Sequence, residues 1–257
     1  MGYSVESSEE GAVERSSDQT LSLPCHYKIS MNVLYSGGYE EEQISNMPLT
    51  LYTSFANPYF YGNRLYALLQ FLSKRDNPVV IVTPGHLYRH VYMAQNNTSE
   101  EKGYEIALNK QKSYMEEELL PCLENFPGLN VRLVNWIDYY KRESFQEILG
   151  QFYAAYEKKG GFSKEIDQSV MSFLRVGKGE RSEGQCEKDF NCSINFILEE
   201  CAFLSYAVLN GHPAMIYPGR VFVDMDKLAQ LDGCPPLFLK MVYLSADFKR
   251  KGRRRRI

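Results

Sequence analysis

Ser54 stands directly after an apolar, β-prone run, residues 47–53 (MPLTLYT), and just ahead of a turn punctuated by Asn57-Pro58. A serine at a strand-to-turn junction can hold its hydroxyl over the end of a sheet. Free backbone N–H groups of the turn, and the N-terminus of the helix beyond, can then stabilise an oxyanion. A turn serine or a helix cap has the same local sequence, however. No G-x-S-x-G elbow is present, so the usual hydrolase template is not met. Glu199 and Glu200 lie in NFILEECAFLSYAVL, an otherwise apolar helical pattern. Successive helical residues point about 100° apart, so two adjacent glutamates surrounded by Ile197, Leu198, Ala202, Phe203 and Leu204 cannot both face water. One carboxylate is expected to face the interior. There it is either half of a buried ion pair, or an unpartnered group with a raised pKa suited to acid–base work. Tyr217, in MIYPGR, caps the last apolar run, and its phenol would reach the same cleft as Ser54 if the two strands are parallel. On that segment alone a core tyrosine is the default reading. His86 and His90 in GHLYRH are four apart, a spacing that suits a metal, but no H-E-x-x-H glutamate accompanies them.

The elements that would position these groups follow from apolar periodicity. Residues 47–53 read as a buried strand, 61–75 as a helix that stops before Asp76-Asn77-Pro78, and 78–83 (PVVIVT) as a strand covered on both faces. A short helix is expected near 86–95 and a longer one over 103–120, then a strand at 130–136. Helices at 138–158 and 163–176, a polar loop at 177–191, a helix over 193–209 and a strand at 213–217 complete the pattern. A short helix is expected to start at 226–230. Strands alternating with helices predict an α/β protein with a Rossmann-like, mostly parallel sheet. In such sheets ligands bind beyond the carboxyl ends of the strands, where Ser54, Pro84, Trp136 and Tyr217 fall. Residues 1–45 read as a mostly flexible leader with a short strand near 27–34, 46–248 as one catalytic domain, and 249–257 as a basic tail.

Composition narrows the function. No uncharged apolar run of about 18 residues predicts a membrane span, and the acidic, Ser-rich start does not read as a secretory signal. A cytoplasmic location is the default expectation. The six cysteines stand singly, without a C-x-x-C pair, and read as free thiols. Neither G-x-G-x-x-G nor G-x-x-x-x-G-K-[ST] occurs, so dinucleotide and P-loop nucleotide binding lack support. Residues 249–256 (KRKGRRRR) hold seven of the 29 basic residues, and removing those seven charges takes the net charge from −3 to −10. An acidic body with a basic tail fits either a solvated terminus or an arm that touches RNA phosphates.

Taken in order, these segments resemble the tRNA-dependent cyclodipeptide synthases over roughly residues 47–220. The apolar strand ending in serine, the turn, and Tyr59-Phe60 match one family segment. Phe196, Glu200 and the following Cys201-Ala202-Phe203 match a second, Tyr217 a third, and Gly103-Tyr104 with Ala107 a fourth. Two departures stand out. The family commonly has tyrosine at the position of Phe196, where its hydroxyl helps hold the aminoacyl amine. Pro218 after Tyr217 looks like one family subtype, whereas Asn57 resembles the other; the tyrosine-proline type is the closer fit.

The resemblance implies a fold like the catalytic domain of class I tyrosyl- and tryptophanyl-tRNA synthetases, without ATP, cofactor or metal. It implies that Ser54 takes an aminoacyl group from one aminoacyl-tRNA in a ping-pong scheme. A second aminoacyl-tRNA extends it to a dipeptidyl-enzyme, whose own amine closes the ring. Glu200 would bind the substrate ammonium and relay protons, and Tyr217 would assist proton transfer in ring closure. Asn57, Phe196, Tyr52, Val82, Trp136 and Phe203 are the expected substrate contacts. Polyanionic substrates need basic side chains near the cleft. Candidates are Lys110, Lys112, Lys158, Lys159 and Lys164, with Arg253 and Arg254 in the tail. A monomer is expected, working ahead of ring-modifying enzymes. Two other functions remain open on the sequence: a serine acyl hydrolase with His86 as base, and a non-catalytic RNA-binding module.

Overall fold

The computed structural model describes residues 27–175, 183–218, 227–228 and 231–250. Six strands are present among them: β1 (Tyr27–Tyr35), β2 (Leu49–Tyr52), β3 (Val79–Thr83), β4 (Val131–Asn135), β5 (Ala214–Pro218) and β6 (Val242–Arg250). They form one sheet in the order β1-β6-β5-β2-β3-β4, parallel throughout except for β1, which runs antiparallel to β6. The helices are α1 (Glu41–Asn46), α2 (Gly62–Leu72), α3 (Arg89–Asn96), α4 (Glu100–Tyr114), α5 (Leu120–Leu123), α6 (Trp136–Tyr140), α7 (Glu143–Glu157), α8 (Gly161–Arg175) and α9 (Glu183–Leu209). The α/β, Rossmann-like class expected from the alternating pattern is the class observed.

The pleat divides the core in two. Side chains alternate along a strand, so Leu49, Leu51, Val79, Ile81 and Ile216 face one layer, with Leu65, Leu68, Leu69 and Leu72 of α2. Tyr52, Val80, Val82 and Met215 face the other, with Trp136, Phe203 and the apolar side of α9. β2 sits between β3 and β5, and all four of its residues are buried. That is why its sequence reads as a continuous apolar run rather than an alternating one.

α9 is the central helix of the second layer. It is long and apolar enough to cross a membrane by length and composition, yet two-thirds of its apolar stretch is buried inside the protein. It packs on α3, α7 and α8. The helix starts at Glu183, where a polar loop is expected over 177–191. Its polar first turns are held by α3 and the residues just past it: Gln185 donates to the Ala94 carbonyl at 3.0 Å, and Lys188 to Asn97 and Thr98 at 2.9 and 3.0 Å. Residues 177–182 of that expected loop lie outside the described residues.

Other boundaries differ for identifiable reasons. The strand expected near 27–34 is β1, and α1 adds order at Glu41–Asn46 to the segment expected to be a mostly flexible leader; residues 1–26 lie outside the described residues. β1 is anchored by β6, a strand the sequence pattern did not single out. Lys249 and Arg250, assigned to a basic tail, close that strand opposite Lys28 and Tyr27. The helix expected at 138–158 divides into α6 and α7 at Lys141-Arg142. The helix expected over 103–120 ends as α4 at Tyr114. It then passes through a wider π turn, Met115–Leu119, into α5, where Pro121 cannot donate a backbone hydrogen bond. Of the helix expected from 226, only Lys227 and Leu228 are described.

Gly103 fixes how closely α3 and α4 approach. A Cβ there would lie 2.8 Å from the Arg89 carbonyl oxygen and 2.8 Å from Met93 Cγ. Gly103→Ala gains up to about 1 kcal/mol of helix propensity. Overpacking against a backbone carbonyl costs about 1–3 kcal/mol, so the clash wins. The expected result is a lower urea midpoint with an unchanged m-value.

Candidate active site

Ser54 follows β2 at the carboxyl end of the sheet. Thr53 holds the strand end against β3, its amide and its hydroxyl both donating to the Val82 carbonyl, at 3.1 and 2.8 Å. The turn beyond Ser54 is stapled twice. Tyr61 donates its hydroxyl to the Phe55 carbonyl at 2.8 Å, and Asn57 donates to the Pro218 carbonyl at 3.0 Å while accepting from Tyr59 N–H at 3.0 Å. Ser54 is 4% exposed. Its Oγ lies 2.5 Å from the Tyr88 hydroxyl, and Ser54 also acts on the Tyr217 phenol.

Within this turn the Tyr59 amide is held by Asn57 Oδ1 and the Phe60 amide by the Asn57 carbonyl, while α2 begins only at Gly62. Ser54 itself is met by the Tyr88 hydroxyl.

The two glutamates of α9 both point inward, with opposite environments. Glu199 is 1% exposed and fully partnered. Arg89 grips it with two nitrogens, at 3.0 and 2.8 Å; Trp136 Nε1 donates at 2.9 Å, and His90 Nε2 lies at 3.2 Å. Burial alone would raise its pKa, but the hydrogen bonds from His90 and Arg89 overcome this and hold it at about 2. Glu200 has no hydrogen-bond or ionic partner among the described residues. It lies deep in the protein yet keeps some accessible surface. Burial pushes its carboxyl up to about 7. The adjacent pair thus realises both readings of buried glutamate: Glu199 as the ion pair and Glu200 as the unpartnered acid.

Tyr217 is the penultimate residue of β5 and lies half-buried beside Ser54. Burial raises its pKa, and hydrogen bonds from Asn57 and Ser54 partly offset this. The Glu200 carboxylate acts electrostatically on Tyr217, Tyr88 and Tyr52 alike. The hydroxyl, the carboxylate and the phenol singled out in sequence therefore converge.

The expected substrate contacts fall into three groups. Asn57 has its amide committed to Tyr217, Pro218 and Tyr59, so it positions the turn rather than offering a free group. Val82, Trp136 and Phe203 are fully buried, with Trp136 and Phe203 stacked at 4.3 Å. Tyr52 stands between them and the site. Its ring touches Trp136, Phe203 and Tyr217, and its hydroxyl is buried without a partner among the described residues. Phe196 meets the Tyr88 ring edge-on at 5.8 Å.

His86 is not brought to Ser54. Its ring packs against Tyr104 and Tyr140, and burial and the Arg89 charge lower its pKa to about 4. His90 has Glu199 as its partner, and among the described residues no three metal-ligating side chains converge. Lys110 and Lys112 are exposed on α4, while Lys158, Lys159 and Lys164 are exposed around the α7–α8 turn. Arg253 and Arg254 lie outside the described residues.

Tyr88 and Arg89 are site residues that the sequence pattern does not isolate. The one available signal is position, since they follow the carboxyl end of β3, where α/β ligands bind. Their arrangement is economical: consecutive residues Tyr88 and Arg89 face Ser54 and Glu199 respectively, and Glu199 is followed by Glu200. The buried ion pair bolts α3 to α9 and so fixes Tyr88 and Glu200 relative to one another.

No protein-family model matches the sequence, and no curated protein matches it. Solved structures match strongly. A cyclodipeptide synthase from Fluoribacter dumoffii superposes with a TM-score of 0.73 at 14% identity, covering 88% of this chain and 100% of that one. A Mycobacterium tuberculosis protein, described as showing that cyclodipeptide synthetases are related to type I tRNA synthetases, has a TM-score of 0.63 at 14% identity, covering 87% and 94%. A cyclodipeptide synthase from Candidatus Glomeribacter gigasporarum, solved bound to Phe-tRNAPhe, has a TM-score of 0.52 at 14% identity, covering 84% and 93%. On these superpositions the chain has the fold of the cyclodipeptide synthases.

Proposed function

We propose that this protein is a tRNA-dependent cyclodipeptide synthase, an aminoacyltransferase that makes a 2,5-diketopiperazine in the cytoplasm from two aminoacyl-tRNAs. One observation supports this above all. On this fold, the Ser54 hydroxyl and the unpartnered Glu200 carboxyl both act on the Tyr217 phenol. The chemistry follows from those three groups.

Ser54 Oγ attacks the ester carbonyl of the first aminoacyl-tRNA. The ester bond to the tRNA ribose breaks, the ribose oxygen takes a proton, and an aminoacyl-Ser54 ester remains. For the growing dipeptide to stay on Ser54, the amine of that ester must attack the second aminoacyl-tRNA's carbonyl and release the second tRNA. The free amine of the dipeptidyl ester then attacks the serine ester carbonyl, closing the six-membered ring and freeing Ser54. Each step exchanges one acyl bond for another, so the activation already present in the tRNA esters drives the sequence. Glu200, ionised, holds the substrate ammonium and accepts its proton. Tyr217 passes protons between Ser54 and that amine.

A serine hydrolase needs a histidine base at the nucleophile, and Ser54 has tyrosine hydroxyls there instead. Expressing cells test the proposal. A diketopiperazine mass is expected in the medium with wild type and is absent with Ser54→Ala; unchanged product from the variant refutes it. The exposed Lys110 and Lys112 are assigned to tRNA phosphates. Replacing both with glutamate is expected to raise KM for charged tRNA by about tenfold or more, flatten its salt dependence and leave kcat unchanged.

A further inference from the structure

The partner of Ser54 Oγ is a phenol that none of the catalytic roles assigned above uses. Tyr88 sits on a turn held by its own amide, which donates to the Pro84 carbonyl at 3.1 Å, and by the Gly85 amide, which donates to Gln111 at 2.8 Å. Its ring is 6% exposed, packed at 4.8 Å against Phe55 and edge-on to Phe196. Its oxygen lies 2.5 Å from Ser54 Oγ, where either hydroxyl can donate to the other. The Tyr217 phenol also interacts with Ser54. Two phenols therefore bear on one serine hydroxyl.

We infer that Tyr88 is a catalytic residue, the acid that protonates Ser54 Oγ when the ring closes. This rests on the synthase reading. In that last step the dipeptide's amine nitrogen forms a C–N bond to the ester carbonyl, and the C–Oγ bond breaks with its electron pair going to oxygen. Oγ takes the Tyr88 phenol proton. The amine proton passes to the Glu200 carboxylate and then, by way of Tyr217, to the Tyr88 phenolate, so every group returns to its starting state. Burial pushes the Tyr88 phenol well above its ordinary range, so it carries its proton throughout the working range and gives it up only to a strong base such as a departing alkoxide. Phe196 places no hydroxyl against Tyr88; its ring keeps the Tyr88 ring in place.

Tyr88→Phe removes one oxygen and keeps the ring packing. With purified full-length protein and charged tRNA, kcat is expected to fall about a hundredfold, with KM unchanged. Single-turnover mass analysis is expected to show a dipeptidyl-Ser54 adduct that forms but breaks down slowly. Fluorotyrosine at position 88 keeps the shape and makes the phenol more acidic, so it is expected to restore turnover and to change the adduct's breakdown rate. Wild-type adduct breakdown in Tyr88→Phe, or a breakdown rate indifferent to fluorination, overturns the assignment. So does a loss in which melting temperature, adduct formation and kcat fall together, since that marks a structural role. Ser54→Ala separates the two levels. If it still makes product, the synthase reading fails. If it is inactive while Tyr88→Phe turns over normally, the Tyr88 assignment alone fails.

Discussion

Replacing Glu200 with glutamine is expected to cut ring formation about a thousandfold while making the protein more stable above neutral pH. The first effect follows from losing the ammonium site and proton acceptor, a role typically worth 10²–10⁴. The second follows from linkage. In the folded protein the Glu200 carboxyl is raised from 4.5 to about 7 by burial. The fold therefore favours the protonated form. Its stability contribution is fully present below pH 4.5 and is lost as pH rises through about 7. Above that pH the ionised group costs on the order of 2–3 kcal/mol, a cost that glutamine does not carry. Melting curves at pH 5 and pH 8.5 check this: the variant's advantage appears only at the higher pH. The same titration shapes activity, with kcat/KM expected to climb through about pH 7 as the carboxylate ionises. A Glu200→Gln variant as active as wild type at pH 8 removes Glu200 from the mechanism.

The second large effect lies in the ion pair beside it. Arg89 and Glu199 are 3% and 1% exposed and joined by two hydrogen bonds. Removing one partner strands the other charge, which typically costs about 3–5 kcal/mol. Arg89→Leu is thus expected to lower the melting temperature by about 10 °C in a chain of this size. Joint replacement, Arg89→Leu with Glu199→Leu, is expected to recover part of the loss, though Trp136 Nε1 then loses its acceptor. The pH sign is opposite to that of Glu200. The Glu199 carboxyl is lowered to about 2, so its contribution is present above the usual carboxylate range and lost as pH falls from about 4.5 toward 2. Because Arg89 adjoins Tyr88, and Glu199 adjoins Glu200, turnover is expected to fall with stability.

The parts of this fold that were legible in sequence are those where one physical constraint dominates. β3 reads directly from PVVIVT because a parallel strand covered on both faces tolerates little else. The inward turn of the glutamate pair follows from helix geometry in an apolar setting. That one is the ion pair and the other the free acid does not, because Arg89 arrives from 110 residues away. β6 escaped notice because a strand's edge partner, here β1, is a tertiary fact. The first turns of α9 looked like a loop because their stabilising contacts, Gln185 to Ala94 and Lys188 to Asn97, belong to another element. At the site, Ser54 and Tyr217 are marked by their strand ends. Tyr88 is not, since nothing local to GHLYRH says its hydroxyl will meet Ser54. That the Tyr59 amide is taken by the Asn57 side chain is visible only once the turn is folded.

Intact-protein mass spectrometry after brief mixing with a pool of charged tRNAs tests the central claim most directly. Wild type is expected to gain the mass of an aminoacyl group, located on Ser54 by peptide mapping, and to lose it as cyclic dipeptide appears. Ser54→Ala is expected to gain nothing. Cyclic dipeptide formed with no adduct on Ser54, or an adduct undiminished in Ser54→Ala, would contradict the account.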